Sequence, residues 1–317
     1  MTKSIFNILI STVITALITG YLISFIDFNS FIDQVSDINI FWIFIGIVSV
    51  FLSILTSSLV IFIIFDYQEN INKCNFINSA HILGNAILPL GSGELVFTSL
   101  AFKMIKSPFN YILSRQVVIL YQSAILMIAF IVMWFVALYF NGYFKIAFNL
   151  FIGFIIFIFL FYPNFFFKLI INPFLFFLHK TKDINFLNKI TLKIEDFQIN
   201  IFKLQDSYLK IKVILLNFSH LIFGALAVFF IMKAFAIDGN ILLAFAIIAS
   251  ISWIKILMGF TLGGLGTSEF GIALLFVLLG VPLEAAVQDA IIIRVSLLIT
   301  TVVLGLISLL FSWYFLE

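Results

Sequence analysis

The 317-residue chain is 63% hydrophobic and only 10% charged, with a mean hydropathy of +1.24. A water-soluble domain carries about 25% charged residues, so a soluble enzyme is excluded and lipid is the solvent for most of this chain. Seventeen basic against fifteen acidic residues leave a net charge of +2, which removes any general electrostatic argument for nucleic-acid binding. The single Cys74 excludes a disulfide framework, and His81, His179 and His220 are too widely spaced to suggest a metal cluster.

A helix rises about 1.5 Å per residue and the hydrocarbon core is about 30 Å thick, so a crossing takes about 20 apolar residues. Seven stretches qualify: 4–26, 41–65, 110–140, 143–162, 213–235, 241–262 and 285–315. The first reads as a retained span, because Ser24-Phe25-Ile26-Asp27 offers no small-x-small cleavage site. Two further stretches, 76–106 and 263–281, are interrupted by glycine-rich breaks. The first break, Leu88-Pro89-Leu90-Gly91-Ser92-Gly93-Glu94, leaves arms of roughly 20 Å, too short to cross alone. Non-helical backbone at membrane depth persists only inside protein or beside water, so each break predicts a cavity. The expected fold is all-α, a polytopic integral membrane helix bundle of about 7–8 spans with two Gly-broken re-entrant or half-helix segments. It forms one transmembrane domain over 1–317, with a first broken-helix motif at 76–140, a cytoplasmic amphipathic segment at 163–212 and a second broken-helix motif at 241–315.

Lysines set the orientation. Lys168, Lys180, Lys182, Lys189, Lys193, Lys203, Lys210 and Lys212 crowd residues 163–212, whereas the 27–39 connection has Asp27, Asp33 and Asp37 and no base. The positive-inside rule places 163–212 and the amino terminus in the cytoplasm, in the plasma membrane of a prokaryote. The side of Glu317 stays open, because it depends on whether each broken segment turns back or crosses. Leu187, Ile190, Ile194, Phe197, Ile201, Leu204, Tyr208 and Ile211 recur three and four apart, as on one face of a helix. That stripe suits an interfacial helix or a coiled-coil contact with a second subunit.

Catalytic signatures are missing: there is no Gly-x-x-x-x-Gly-Lys loop, no Gly-x-Ser-x-Gly elbow and no His-Glu-x-x-His pair. The expectation is a protein that is not an enzyme and needs no cofactor or metal. Polar groups inside apolar spans are costly and become the functional candidates. One arrangement occurs twice. Gly91-Ser92-Gly93-Glu94 is followed by Arg115, 21 residues on, and Gly263-Gly264-Leu265-Gly266-Thr267-Ser268-Glu269 by Arg294, 25 residues on. Glycines let the backbone break and approach a ligand, and the amides opening the next half-helix attract a phosphate or carboxylate. Arg115 and Arg294 are the only arginines among seventeen basic residues, and a guanidinium grips such anions through two parallel hydrogen bonds.

The candidate substrate-binding set is Glu94, Arg115, Glu269, Arg294, Gly91, Gly93, Gly263, Gly264, Gly266, Asn85 and Lys255. Simpler roles stand beside it: each Glu caps its helix, and each Arg snorkels to an interface. Secondary candidates are His81, one turn before Asn85, together with Gln122, His220, Gln288 and Asp289. Asp289 is five residues from Arg294, a poor spacing for a helical pair.

Two stretches resemble the signature regions of the lysylphosphatidylglycerol synthase transmembrane region family, also called flippase-like. Leu88, Pro89, Gly93, Glu94 and Arg115 match the first signature; Gly263, Gly264, Leu265, Gly266, Glu269, Leu279, Gly280, Val281 and Arg294 match the second. Gly91 stands where the first signature has a basic residue, Ser114 and Val118 where acidic residues flank the later arginine, and Leu262 where the second has a proline. The resemblance implies movement of lipid between leaflets. In multidomain relatives a soluble aminoacyl-transferase domain follows; here the last span ends near Glu317, so that synthase activity is not expected. The leading expectation is a flippase or transporter for a phospholipid or polyprenyl-phosphate-type lipid. The alternatives are an ion-coupled carrier of a small soluble anion, or an accessory subunit presenting lipid to a transferase. A second copy of the chain or a lipid-modifying enzyme is the expected protein partner.

Overall fold

The computed structural model describes residues 3–65, 69–88, 92–139, 153, 207–257, 261 and 264–315. Every regular element among them is a helix: α1 (Lys3–Ile23), α2 (Phe28–Ser36), α3 (Ile40–Ile64), α4 (Ile71–Ile87), α5 (Ser92–Ile105), α6 (Phe109–Tyr139), α7 (Ser207–Ala234), α8 (Ile241–Leu257), α9 (Thr267–Leu278) and α10 (Leu283–Tyr314). Four of them are long and apolar enough to cross a membrane, within α3, α6, α7 and α10. Ser11–Ile23 of α1 and Phe28–Ser36 of α2, bent by 87° to each other, reach that length and apolarity only when taken together. The chain is thus a polytopic helical membrane protein. The 143–162 stretch, apart from residue 153, and residues 163–206 of the amphipathic segment lie outside the described residues.

Helix starts are set locally. Asp27, Asn39 and Asn70 cap α2, α3 and α4, each accepting a hydrogen bond from the backbone N–H two residues on. Inside lipid the helix satisfies its own backbone, which is why apolar sequence of this length becomes helix rather than strand.

Packing sorts the helix ends into two groups. Ile61 and Phe65 of α3, Cys74 and Ile77 of α4, Ala101 and Ile105 of α5 and Ile112 of α6 share one buried cluster. Ile64 also packs with Val213 of α7, and Asn75 of α4 donates to Ser308 (2.8 Å) and Ser312 (2.5 Å) of α10. This end carries Lys73, Lys103, Lys106 and Lys212, and is called the basic end. At the opposite end Asn39 N–H donates to Ala234 O at 2.9 Å, and Gln34 of α2 donates to Asp289 of α10 at 3.1 Å. Asp27, Asp33, Asp37, Asp238 and Glu284 lie there, at the acidic end.

Both interrupted stretches are hairpins, and they enter from opposite ends. α4 leaves the basic end and α5 returns to it, the arms packed against each other. α8 starts at the acidic end and α9 returns there: Gly239, Asn240 and Leu243 share a cavity of about 210 Å³ with Leu279 and with Trp134 and Leu138 of α6. Of residues 241–262, expected as a complete crossing, Ile241–Leu257 form α8, the first arm of the second hairpin, which packs on α9. Hydropathy could not separate these readings, because a half-span inside protein is as apolar as a full one.

α10 holds the two hairpins together, since both α4 and α9 pack on it. Asn75 meets Ser312, Ser79 meets Ser308 at 3.0 Å and Leu83 packs on Gly305, so α4 runs antiparallel to α10. α5 with 14 residues and α9 with 12 measure about 21 and 18 Å, each shorter than a hydrocarbon core about 30 Å thick.

Candidate functional site

The first site forms where α4 and α5 meet. Their arms touch at glycine: a Cβ on Gly84 would come within 2.9 Å of the Gly93 Cα, and one on Gly93 would collide with the Asn85 carboxamide. That approach brings Glu94, third residue of α5, onto the α4 face that carries His81 and Asn85. His81 Nε2 is 2.9 Å from Glu94 Oε1, and Asn85 Nδ2 is 2.9 Å from the same ring nitrogen and 3.4 Å from Oε1. From α6, Gln116 Nε2 donates to Glu94 Oε2 at 2.5 Å and to the Glu94 carbonyl at 3.1 Å. Thr98 completes the ring, donating to Gln116 Oε1 at 2.5 Å and to the Glu94 carbonyl at 2.8 Å.

Gln116 and Thr98 were not singled out in the sequence. The available signal was a glutamine beside Arg115 in an apolar span, one position around the helix from the residue that draws the eye. Arg115 itself is buried, its guanidinium carbon 4.7 Å from the centre of the Tyr111 ring and Nη2 donating to the Tyr111 hydroxyl at 3.3 Å.

The second site forms at the start of α9. Gly264 and Gly266 take φ of +77° and +81°, a region that a side chain disfavours, and Gly266 faces Ile18 of α1, whose Cγ2 would be 2.7 Å from an added Cβ. Thr267 steadies the turn, its hydroxyl donating to Gly264 O at 3.1 Å and lying 3.2 Å from the Thr261 hydroxyl. Glu269, third residue of α9, faces Arg294 of α10, with Arg294 Nε 3.9 Å from Glu269 Oε1. Both side chains are only 6% exposed, whereas His81 and Glu94 keep 22% and 31%. The hydroxyl of Ser268, the preceding residue of α9, is fully buried and has no hydrogen-bond partner among the described residues.

The structure therefore gathers Asn85, Gly93 and Glu94 at one site and Gly264, Gly266, Glu269 and Arg294 at another. Along α10, Gly305 to Arg294 is about 16 Å and α4 extends about 6 Å past Leu83, so Arg294 lies about 10 Å beyond the tip of α4. Gly91, Gly263 and the Lys255 side chain lie outside the described residues. The remaining polar candidates bind other helices. Asn217 donates to Gln122 at 3.0 Å between α7 and α6, and His220 Nδ1 is 2.8 Å from Ser53 Oγ of α3. Gln288 donates to Gln34 at 2.7 Å and Asp289 accepts from it, so neither neutralises Arg294. Among the described residues no group of three or more His, Cys, Asp or Glu is placed to hold a metal ion.

Fold and sites define a class: an integral membrane protein whose two interrupted spans enter from opposite ends and carry a glutamate as the third residue of each returning arm. The chain belongs to the lysylphosphatidylglycerol synthase TM region family, which matches residues 8–305. Comparison with curated proteins and with solved structures gives no match.

Proposed function

We propose that the protein moves a lipid with a phosphate-containing or other anionic headgroup between the leaflets. The observation that supports this reading is the second site. An arginine and a glutamate, each 6% exposed, face each other at the amino end of a helix too short to cross by itself, whose first turn also carries the buried Ser268. The Glu269 carboxylate, with Oε1 3.9 Å from Arg294 Nε, balances the guanidinium charge. An arriving phosphate would take over the role of Glu269, gaining the guanidinium fork, the α9 amides and the Ser268 hydroxyl in a low-dielectric setting. The acyl chains stay in lipid meanwhile.

Hairpins entering from opposite ends suit an exchange of access, one arm pair opening toward each leaflet in turn. In this reading the basic end, with Lys73, Lys103, Lys106 and Lys212, faces the cytoplasm of a prokaryotic plasma membrane. Both termini then lie on that side, since α10 ends where α4 begins. The membrane region works without its own chemistry, as a conduit rather than an enzyme, and a lipid-modifying enzyme is the partner it would serve.

Liposomes carrying the full chain and labelled phospholipids or polyprenyl phosphates test the reading. Wild type should move at least one such lipid, and an Arg115→Lys, Arg294→Lys double variant should be slower by roughly 10–100-fold, the cost of losing bidentate phosphate contacts. Equal rates for the two proteins would discard the arginine contacts. Uptake of a small soluble anion without lipid movement would replace the lipid by a solute.

A further inference from the structure

The first site holds a feature that headgroup binding does not use. One ring nitrogen, His81 Nε2, lies 2.9 Å from a carboxylate oxygen, Glu94 Oε1, and 2.9 Å from an amide nitrogen, Asn85 Nδ2. A ring nitrogen bears either a proton or a lone pair. With the proton it donates to Glu94, and Asn85 Nδ2 then donates to Oε1 at 3.4 Å. With the lone pair it accepts from Asn85 Nδ2, and Glu94 approaches Nε2 favourably only if Oε1 carries the proton. Gln116 donates to Oε2, so Oε1 is the oxygen left to share a proton with the ring.

We propose that His81 and Glu94 form a proton-carrying site that takes up one proton from the basic end, and, on the lipid-transport reading above, couples its passage to lipid movement. Neutral imidazole with carboxylate carries one negative charge. One added proton, on Nε2 or on Oε1, brings the pair to zero net charge, which lowers the cost of holding it in mid-membrane. No other atom enters or leaves. The pair is not sealed by protein, with 31% of the Glu94 and 22% of the His81 side chain exposed. The site bears on the hairpin through Asn85, whose carboxamide meets both His81 and Glu94 and is the group against which Gly93 packs.

The surrounding helices carry few charged groups. α3 has no ionisable side chain; α4 adds Lys73 and α5 adds Lys103, both at the basic end; α6 contributes Arg115, next to Gln116; and α10 contributes Glu284, Asp289 and Arg294. His220 of α7 is within electrostatic reach of His81 and is held by Ser53.

The test is pH-difference infrared spectroscopy of the reconstituted full chain, read at the protonated-carboxyl carbonyl stretch. Wild type should show a component missing from Glu94→Gln, with a midpoint moved by about one pH unit in His81→Gln. Glu94→Asp, which keeps a carboxyl group and should displace the band, serves if Glu94→Gln fails to fold. Superimposable spectra for wild type and the Glu94 variants would overturn the proton site. In liposomes an imposed proton gradient should accelerate wild-type lipid movement at least about fivefold, with no response in Glu94→Gln or His81→Gln. Movement indifferent to the gradient overturns the coupling and leaves lipid transport standing. A Glu94 band in a protein that moves no phospholipid or polyprenyl phosphate supports the proton site and rejects transport.

Discussion

Glu94 and Glu269 hold the same place, the third residue of a returning arm, yet one is met by an imidazole and two carboxamides and the other by a guanidinium. The accessibility differs as well: Glu269 and Arg294 are each 6% exposed, whereas Glu94 keeps 31%. Matched motifs have thus become one closed charge pair and one half-exposed hydrogen-bonded cluster, on hairpins that start at opposite ends. An exchange between leaflets calls for such inequality, since two equally open sites would leave a continuous leak.

The contrast is sharpest in stability. Arg294→Ala leaves the Glu269 charge buried without its cation, and should cost about 3–5 kcal/mol in detergent unfolding. A loss no greater than that of Glu94→Ala would erase the distinction. Next comes the turn: Gly266→Ala adds a strained φ and a clash with Ile18, for about 1–3 kcal/mol in the same measurement. Gly280→Ala, also at positive φ but facing open space, should cost about 1 kcal/mol, which isolates the part due to α1.

Accessibility is read by thiol labelling in sealed vesicles. Ser92→Cys and Thr267→Cys occupy corresponding positions, and the native Cys74 is fully buried and supplies the baseline. Ser92→Cys should react about tenfold faster than Thr267→Cys, and only from the side of the basic end. Similar rates, or labelling of both from one side, would break the opposed arrangement. The smallest effect belongs to His81→Gln, at about 0–1 kcal/mol, because a partly exposed pair is screened. A loss as large as that of Arg294→Ala would mean that the first site is closed as well.

Much of this was legible from residues alone. The carboxylates at 94 and 269, the glycines beside them and the pairing of His81 with Asn85 one turn apart are local patterns, and the hairpin brings the latter onto Glu94. Arg294 meets Glu269 as the repeated motif suggests. The same motif pointed to Arg115 for Glu94, and there Gln116 makes the hydrogen bonds from α6. A shift of one residue turns a helix by about 100°, and nothing in an apolar span says which of two adjacent polar residues faces inward.

Hydropathy and the glycine breaks by themselves established a membrane protein with two interrupted spans, since the match between apolar length and bilayer thickness is local and a helix in lipid needs no distant partner to satisfy its backbone. Only the packed helices decided that residues 241–257 turn back with 267–278, that the hairpins enter from opposite ends, and that one carboxylate is closed over while the other stays open. Those features rest on which apolar faces meet, and lipid tails are as apolar as the helices, so burial assigns no partner and the choice falls to small residues and polar contacts such as Gly305 on Leu83 and Asn75 on Ser308.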